Sequence, residues 1–487
     1  MIRCERIEDD DGRVSRTRAA LALLLGLASL SLAGCPTATQ RPPATQTGPL
    51  LLVGVDGLEW SVALPLIREG RLPHLAGLMR RGSYGRLETL APGKSPVIWT
   101  TIATGRRATE HGILDFTLDE PGGRKRFYTS SDRRTKALWN ILDDAGRRSF
   151  FVSWWNTFPV ESIDGVLVSQ ANTTDQIARR RMLKPGGMLR GVEGQVYPPE
   201  RQDEMLGIAA EVDTGMPFIL RRIFGEIGRP EWPGDRANLE ACAWSVRADE
   251  TTRRIALRLA IESPPPDLFA VYLGTPDVAS RRFWRFHEPD AFEHAPPPEA
   301  VERFGSVVRD AYAHVDAVIG ELVAALPPDT TVVVLSDHGM HAHNTSSRFD
   351  VPVHGRLERE SGGHADGPPG IFVAAGPAIR RAEPAGPISD LTASDLPGVG
   401  HVLDVTPTVL TLLDVPVGRD MAGEVLKHLL DESFLRDHPV RFVDTHDTAE
   451  WLASRGRGDR ELPGTEERLE QLRSLGYIQP SGDGGGP

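Results

Sequence analysis

The sequence predicts an α/β fold around a mostly parallel central sheet. Three observations carry that expectation. Short apolar runs recur along the chain at Leu50–Val55, 150–154, 165–169, Leu268–Leu273, Thr331–Leu335 and 371–375. They are continuous rather than alternating, which is the pattern of strands covered on both faces. Helical patterns separate them, at Pro73–Arg81, 96–104, 135–145, 300–325 and 406–413, and strands alternating with helices imply parallel crossover units. The composition, 40% hydrophobic and 25% charged over 487 residues, is that of a globular chain. It excludes wholesale disorder, a collagen-like fibre and a polytopic membrane protein.

The elements follow in order from the N-terminus. Residues 19–32 form one apolar run behind Arg13, Arg16 and Arg18, too short to span a bilayer comfortably. The run ends in Leu32-Ala33-Gly34-Cys35, which resembles a bacterial lipobox, with Cys35 acylated and becoming the mature N-terminus. Residues 1–34 are therefore expected to be a lipoprotein signal peptide. Residues 35–49, rich in Pro, Thr and Gln, are expected to be a flexible tether. The mature protein is expected at the cell envelope, periplasmic or at the outer membrane, held by its lipid. Cys242 then has no partner for an intramolecular disulfide, and three cysteines are too few for a Cys-rich zinc site.

The main domain is expected over residues 50–430. The segment 171–248 interrupts its rhythm; rich in Arg, Gly and Pro and lacking a buried strand, it reads as an insertion or cap over one edge of the core. Residues 431–487 read as a C-terminal extension. In it, 464–478 forms a polar helix with Leu469, Leu472 and Leu475 on one stripe, before a disordered tail. A formal net charge of −12, from 55 basic and 67 acidic residues, argues against a nucleic-acid-binding surface.

Ligands of an open parallel sheet bind beyond the carboxyl ends of its strands. Asp56 follows the first apolar run, Asp277 the run Leu268–Leu273, and Asp337 and His338 the run Thr331–Leu335; His364 lies in the Gly-rich loop before 371–375. Singly, an Asp after a strand is commonly a turn or cap residue. Together, carboxylates and imidazoles at one sheet edge suit a divalent metal, with zinc favoured by the histidines. Ser95 precedes a short helix opened by Pro96 and closed by Gly105, and is expected as its N-cap. That position serves either a structural cap or a nucleophile held where a helix terminus favours an anion. His341, His343 and His354 crowd the loop after Asp337 and read as solvated; Lys94, Asn140, Trp154 and Trp155 are lesser candidates for the pocket.

The motifs resemble those of the alkaline phosphatase superfamily, nearest to its type I phosphodiesterase / nucleotide pyrophosphatase branch. The resemblance rests on GVDGLEW at 54–60, GRLPHLAGLMRRGSYGRL at 70–87, SPVIWTTIATG at 95–105, HGILDF at 111–116 and TPDVASRRFWRFHEP at 275–289. It continues through VVVLSDHGM at 332–340, GGH at 362–364 and DVTPTVLTLLDVPVGRDMAG at 404–423. It implies a three-layer sandwich and hydrolysis of phosphate esters through a covalent phosphoseryl intermediate on Ser95. It also implies two metals: one on Asp56, Ser95, Asp337 and His338, the other on Asp277, His364 and a His four residues after Asp277. That last position is Arg281 here, a side chain without a lone pair to donate. One tightly bound metal is therefore expected, with Arg281 acting on phosphate oxygens. The alternatives are a group transferase with the same intermediate, and an envelope binding protein that kept the fold and lost the chemistry.

Overall fold

The computed structural model describes residues 48–120, 125–170, 192–225, 235–348, 352–353, 356–357, 360–383, 387–455 and 469. The expected signal peptide, Cys35 and most of the expected tether, as well as His354, lie outside them. Among the described residues, no helix is long and apolar enough to cross a membrane.

Among the described residues, nine strands build the central sheet: β1 (Leu50–Val55), β2 (Gly82–Glu88), β3 (Ser149–Val152), β4 (Gly165–Val168), β5 (Val196–Tyr197), β6 (Leu268–Leu273), β7 (Thr331–Leu335), β8 (Gly370–Ala375) and β9 (Gly398–His401). Their order across the sheet is β9-β2-β8-β7-β1-β6-β3-β4-β5. β1 sits at the centre, parallel to β6 and β7 on either side, with Leu52 paired to both Ala270 and Val333. Only β8 and β5 run against the rest; β8 is antiparallel to both β7 and β2. β2, with its Gly, Ser and Arg, has no apolar run and was absent from the expected strands.

Alternation along β1 explains the layers. Leu51, Val53 and Val55 face one side and share a core with Leu64, Leu75, Val278 and Val315. Those residues belong to helices α1 (Trp60–Arg68), α2 (Pro73–Arg81), α7 (Thr275–His287) and α8 (Val307–Ala325). Leu50 and Leu52 face the other side, against Ile98, Trp99, Leu138 and Val409 of α3 (Ser95–Thr104), α4 (Leu138–Asp144) and α9 (Val405–Leu412). With period 2, one strand thus seals two cores, and helices cover both faces. Truncating a residue such as Leu51, fully buried, costs about 2–5 kcal/mol in a core of this kind.

The segment expected as a strandless insertion contributes to this core. β5 closes the sheet edge, and helices α5 (Gln202–Phe224) and α6 (Asp235–Ala260) pack Met205, Val212, Ile223, Val246 and Ile255 into the first face. Residue 248 falls inside α6, whose apolar stripe runs on to Leu259. Cys242 is a buried free thiol there, and burial pushes its pKa up to about 12. The helix expected at 300–325 is two, Pro298–Phe304 and α8, broken at Gly305, where a Cβ would stand 2.6 Å from the Val301 carbonyl oxygen. Of the expected terminal helix only Leu469 is described; it is buried against Phe127 and Phe158.

Candidate active site

Strand direction gathers the site. β1, β6 and β7 are parallel, so Asp56, Asp277 and the Asp337–His338 pair emerge from one sheet edge. β8 is antiparallel, so the loop that enters it, carrying His364, arrives at that same edge. β2 runs parallel to β7 and leads through 89–94 into α3, which places Ser95 there too. Asp56, Ser95, Asp277, Asp337, His338 and His364 are all at most 2% exposed.

Close packing fixes their spacing. Gly57 has φ +74, and a Cβ on it would lie 2.8 Å from the Asp277 Cα; only glycine lets the end of β1 touch the start of α7. A Cβ on Gly93 would stand 2.8 Å from His364 Nδ1, so the turn before Ser95 presses on that imidazole. Ser336 Oγ accepts from Leu58 N (2.9 Å) and donates to the His338 carbonyl (2.7 Å), tying the β1 turn to the β7 turn. Asp249, from α6, accepts from both Gly274 N and Thr275 N at 2.8 Å and so holds the turn that aims Asp277. Burial raises the Asp249 pKa to about 6.

Asp56 is oriented by two donors. Its Oδ2 accepts from Tyr272 Oη (2.7 Å) and Trp99 Nε1 (3.2 Å), leaving Oδ1 towards His338 Nε2 at 3.2 Å. His338 Nε2 also lies 3.4 Å from Asp337 Oδ2, while its Nδ1 meets the Gly339 carbonyl oxygen at 2.8 Å. That carbonyl requires Nδ1 to carry the hydrogen, so the lone pair of neutral His338 is on Nε2, facing the carboxylates. Asp56 Oδ1, both oxygens of Asp337, His338 Nε2 and Ser95 Oγ are buried and have no hydrogen-bond partner among the described residues. Ser95 is the first residue of α3 rather than its cap; Lys94 is the cap residue and no side chain caps the helix. Its hydroxyl is therefore not committed to the helix amides.

The charges strain against one another. Burial would raise Asp56, but His338, Tyr272 and Trp99 outweigh it and hold its carboxyl below the usual range. Burial, reinforced by the Asp56 charge, pushes Asp337 well above that range. Burial opposes protonation of His338, yet Asp337 and Asp56 prevail and raise it to about 9. Burial, then the positive charges of His338 and Arg281, hold His364 well below the ordinary histidine value. Such a cluster of buried carboxylates and imidazoles has the donor set of a cation site. Ligand atoms of Asp56, Asp337 and His338 lie within 4.8 Å of one another, and so do those of Asp277, His338 and His364. The residues fit a divalent metal.

Arg281 turns inward. It lies one turn after Asp277 on α7, 8% exposed, with Nε 3.3 Å from Asp277 Oδ2 and its guanidinium against His364 Nε2. The lesser candidates divide. Trp155 is half-buried, edge-on to Tyr272 and Phe116; Trp154 packs against Trp99 in the core. Lys94 pairs with Asp115. Asn140 lies apart, bonded to Arg133 and Glu161. His341 is half-buried and meets Asp366 at 2.6 Å, and His343 is exposed. Trp99, Tyr272 and Asp249 are site residues that sequence reasoning did not single out. A phenol inside the aliphatic run of β6 needs an acceptor, and that was the available signal for Tyr272.

Three comparisons place this chain among known proteins. A search of curated protein sequences finds no match. Among solved structures, a murine ectonucleotide pyrophosphatase / phosphodiesterase 5, an inactive variant in complex with AMP, aligns at 14% identity over 79% of this chain and 100% of its own, TM-score 0.44. Phosphonoacetate hydrolase from Sinorhizobium meliloti 1021, with phosphonoformate, aligns at 19% identity over 61% of this chain, TM-score 0.37; the match spans 57% of that hydrolase. BT1596, a 2-O glycosaminoglycan sulfatase, aligns at 12% over 82% of this chain and 76% of its own, TM-score 0.44. The family model for type I phosphodiesterase / nucleotide pyrophosphatase matches residues 50–380, well over half of the chain and all of the site. The chain belongs to the type I phosphodiesterase / nucleotide pyrophosphatase family of phosphoric ester hydrolases.

Proposed function

We propose that this protein is an exported, lipid-anchored hydrolase of phosphate esters, favouring phosphodiesters, with Ser95 as its nucleophile. One observation carries the reading: Ser95 Oγ, Asp56 Oδ1, both Asp337 oxygens and His338 Nε2 lie buried at one sheet edge with no hydrogen-bond partner among the described residues. Asp56, Asp337, His338 and Ser95 would hold a divalent cation, zinc being suited to the imidazole, and it would supply acidification of the hydroxyl and neutralisation of phosphate charge. Ser95 Oγ attacks phosphorus, the bond to the ester oxygen breaks on the opposite side, and the serine proton ends by way of solvent on that oxygen, which departs as an alcohol and leaves a seryl phosphoester. Water then attacks phosphorus, the Oγ–P bond breaks, and the serine is restored. Tyr272 and Trp99 keep the Asp56 carboxylate turned towards the reacting centre, and Ser95 sits at the positive end of α3.

A screen of p-nitrophenyl mono- and diesters tests this proposal. Diester turnover that is lost after chelation and restored by zinc supports it; turnover indifferent to chelation contradicts it. A second reading is group transfer to an alcohol through the same seryl intermediate, at a site whose Arg281 has no lone pair to ligate a second metal. In that case an added alcohol acceptor captures the seryl-bound group in preference to water. Export rests on the basic flank, the apolar run and Cys35. Intact mass of membrane-extracted protein is expected to give a chain beginning at an acylated Cys35; an unprocessed N-terminus contradicts it.

A further inference from the structure

We infer that Arg281 fills the second cation position, so that the site takes one divalent metal and completes its charge with a guanidinium. This rests on the metal-binding reading above and narrows it. Distances alone permit a second metal, since the ligand atoms of Asp277, His338 and His364 lie within 4.8 Å of one another. Donor chemistry decides against it.

His338 has one lone pair to give. Its Nδ1 is committed to the Gly339 carbonyl, and its Nε2 faces Asp56 at 3.2 Å and Asp337 at 3.4 Å, where the first metal would bind. It cannot serve two ions at once. The second position is left with Asp277 and His364, short of the three protein ligands usual at a catalytic zinc. Those two residues are already bridged. Asp277 Oδ2 meets Arg281 Nε at 3.3 Å, and His364 Nε2 meets the same guanidinium. Arg281 offers five N–H donors and no acceptor, so its contact with His364 Nε2 occupies the lone pair that a metal would need. The i, i+4 spacing of Asp277 and Arg281 on α7 sets this pairing in the backbone. The guanidinium thereby brings a fixed positive charge to the place a second cation would take, where it attracts phosphate oxygens.

The test is metal counting on purified protein equilibrated with zinc, read by mass spectrometry, with phosphate affinity as a second readout. Wild type is expected to hold about one zinc per chain and Arg281→His about two. Arg281→Gln is expected to keep about one zinc while its dissociation constant for inorganic phosphate rises roughly tenfold to a hundredfold, the loss of a charge-assisted contact. Two zinc ions in wild type, or one in a folded Arg281→His, would overturn the inference, as would unchanged phosphate affinity in Arg281→Gln. Should Arg281→His fail to fold, the wild-type count and the Arg281→Gln affinity still decide. A wild type that holds no zinc would instead overturn the underlying metal reading.

Discussion

Replacing Tyr272 by Phe removes one oxygen atom and leaves the packing of its ring in place. The phenol makes the shorter of the two hydrogen bonds to Asp56 Oδ2, 2.7 Å against 3.2 Å for Trp99, and Tyr272 is buried. A hydrogen bond to a charged group contributes about 1.5–3 kcal/mol. Without it the ionised carboxylate loses its stronger support, its pKa rises and its Oδ1 is freer to swing from the line to His338. Groups that orient metal ligands in this way typically change metal affinity by about 10–100-fold when removed. Tyr272→Phe should therefore weaken zinc binding about tenfold or more, measured by chelator competition on purified protein, and lower kcat/KM in step at limiting zinc. Saturating zinc should recover much of the activity. Zinc affinity within twofold of wild type would refute the reasoning, because the Tyr272 hydroxyl would then be supporting a fold rather than a ligand.

Two further outcomes follow from groups around the site. Asp249→Ala leaves the Gly274 and Thr275 amides without their acceptor, so urea denaturation should register a loss of about 2–4 kcal/mol and turnover should fall as Asp277 loses its aim. His111 is buried beside Thr101, and burial with the nearby Arg133 and Arg106 charges lowers its pKa to about 3. The folded chain thus binds this proton less readily than the unfolded one. The stability from a neutral His111 is complete above about pH 6.5 and is lost as the pH falls towards 3. Wild type should accordingly lose about 2 kcal/mol more than His111→Gln between pH 7.5 and 5 in urea titrations; parallel pH profiles would contradict this.

What the sequence made legible divides along physical lines. β1, β6 and β7 fall at Leu50–Val55, Leu268–Leu273 and Thr331–Leu335 as expected, because burial on both faces demands an unbroken aliphatic run. β2 was hidden because its glycines answer to neighbours rather than to a local pattern: a Cβ on Gly82 would strike the Ala374 carbonyl oxygen of β8. Its pairing is a property of the sheet. α5 carries Gly207, Gly215 and Pro217 inside a helical stripe, which local propensity reads as interruption; tertiary packing of Met205, Val212 and Ile223 overrides it. The candidate site residues were legible, since Asp56, Asp277, Asp337 and His338 follow recognisable apolar runs, His364 precedes one and Ser95 opens a helix pattern. Those that aim them were not. Trp99 and Asp249 look like an ordinary core aromatic and an ordinary helix carboxylate until the fold sets them against Asp56 and the Gly274 turn. Ser95 was expected as the N-cap of α3, as either a structural cap or a nucleophile; the helix instead begins on it, and its hydroxyl bonds no helix amide.

The central claim is that the Ser95 hydroxyl attacks phosphorus. The measurement that reaches it most directly is acid quenching during turnover of a bis-p-nitrophenyl ester, followed by peptide mass spectrometry. The peptide containing Ser95 is expected to carry the p-nitrophenyl phosphoryl group in a substoichiometric amount that rises with substrate. Ser95→Ala should carry none and turn over nothing, while staying within about 0.5 kcal/mol of wild-type stability, since its Oγ caps no helix amide. Diester hydrolysis by Ser95→Ala at near wild-type rate, or the phosphoryl group on another side chain, would contradict the account.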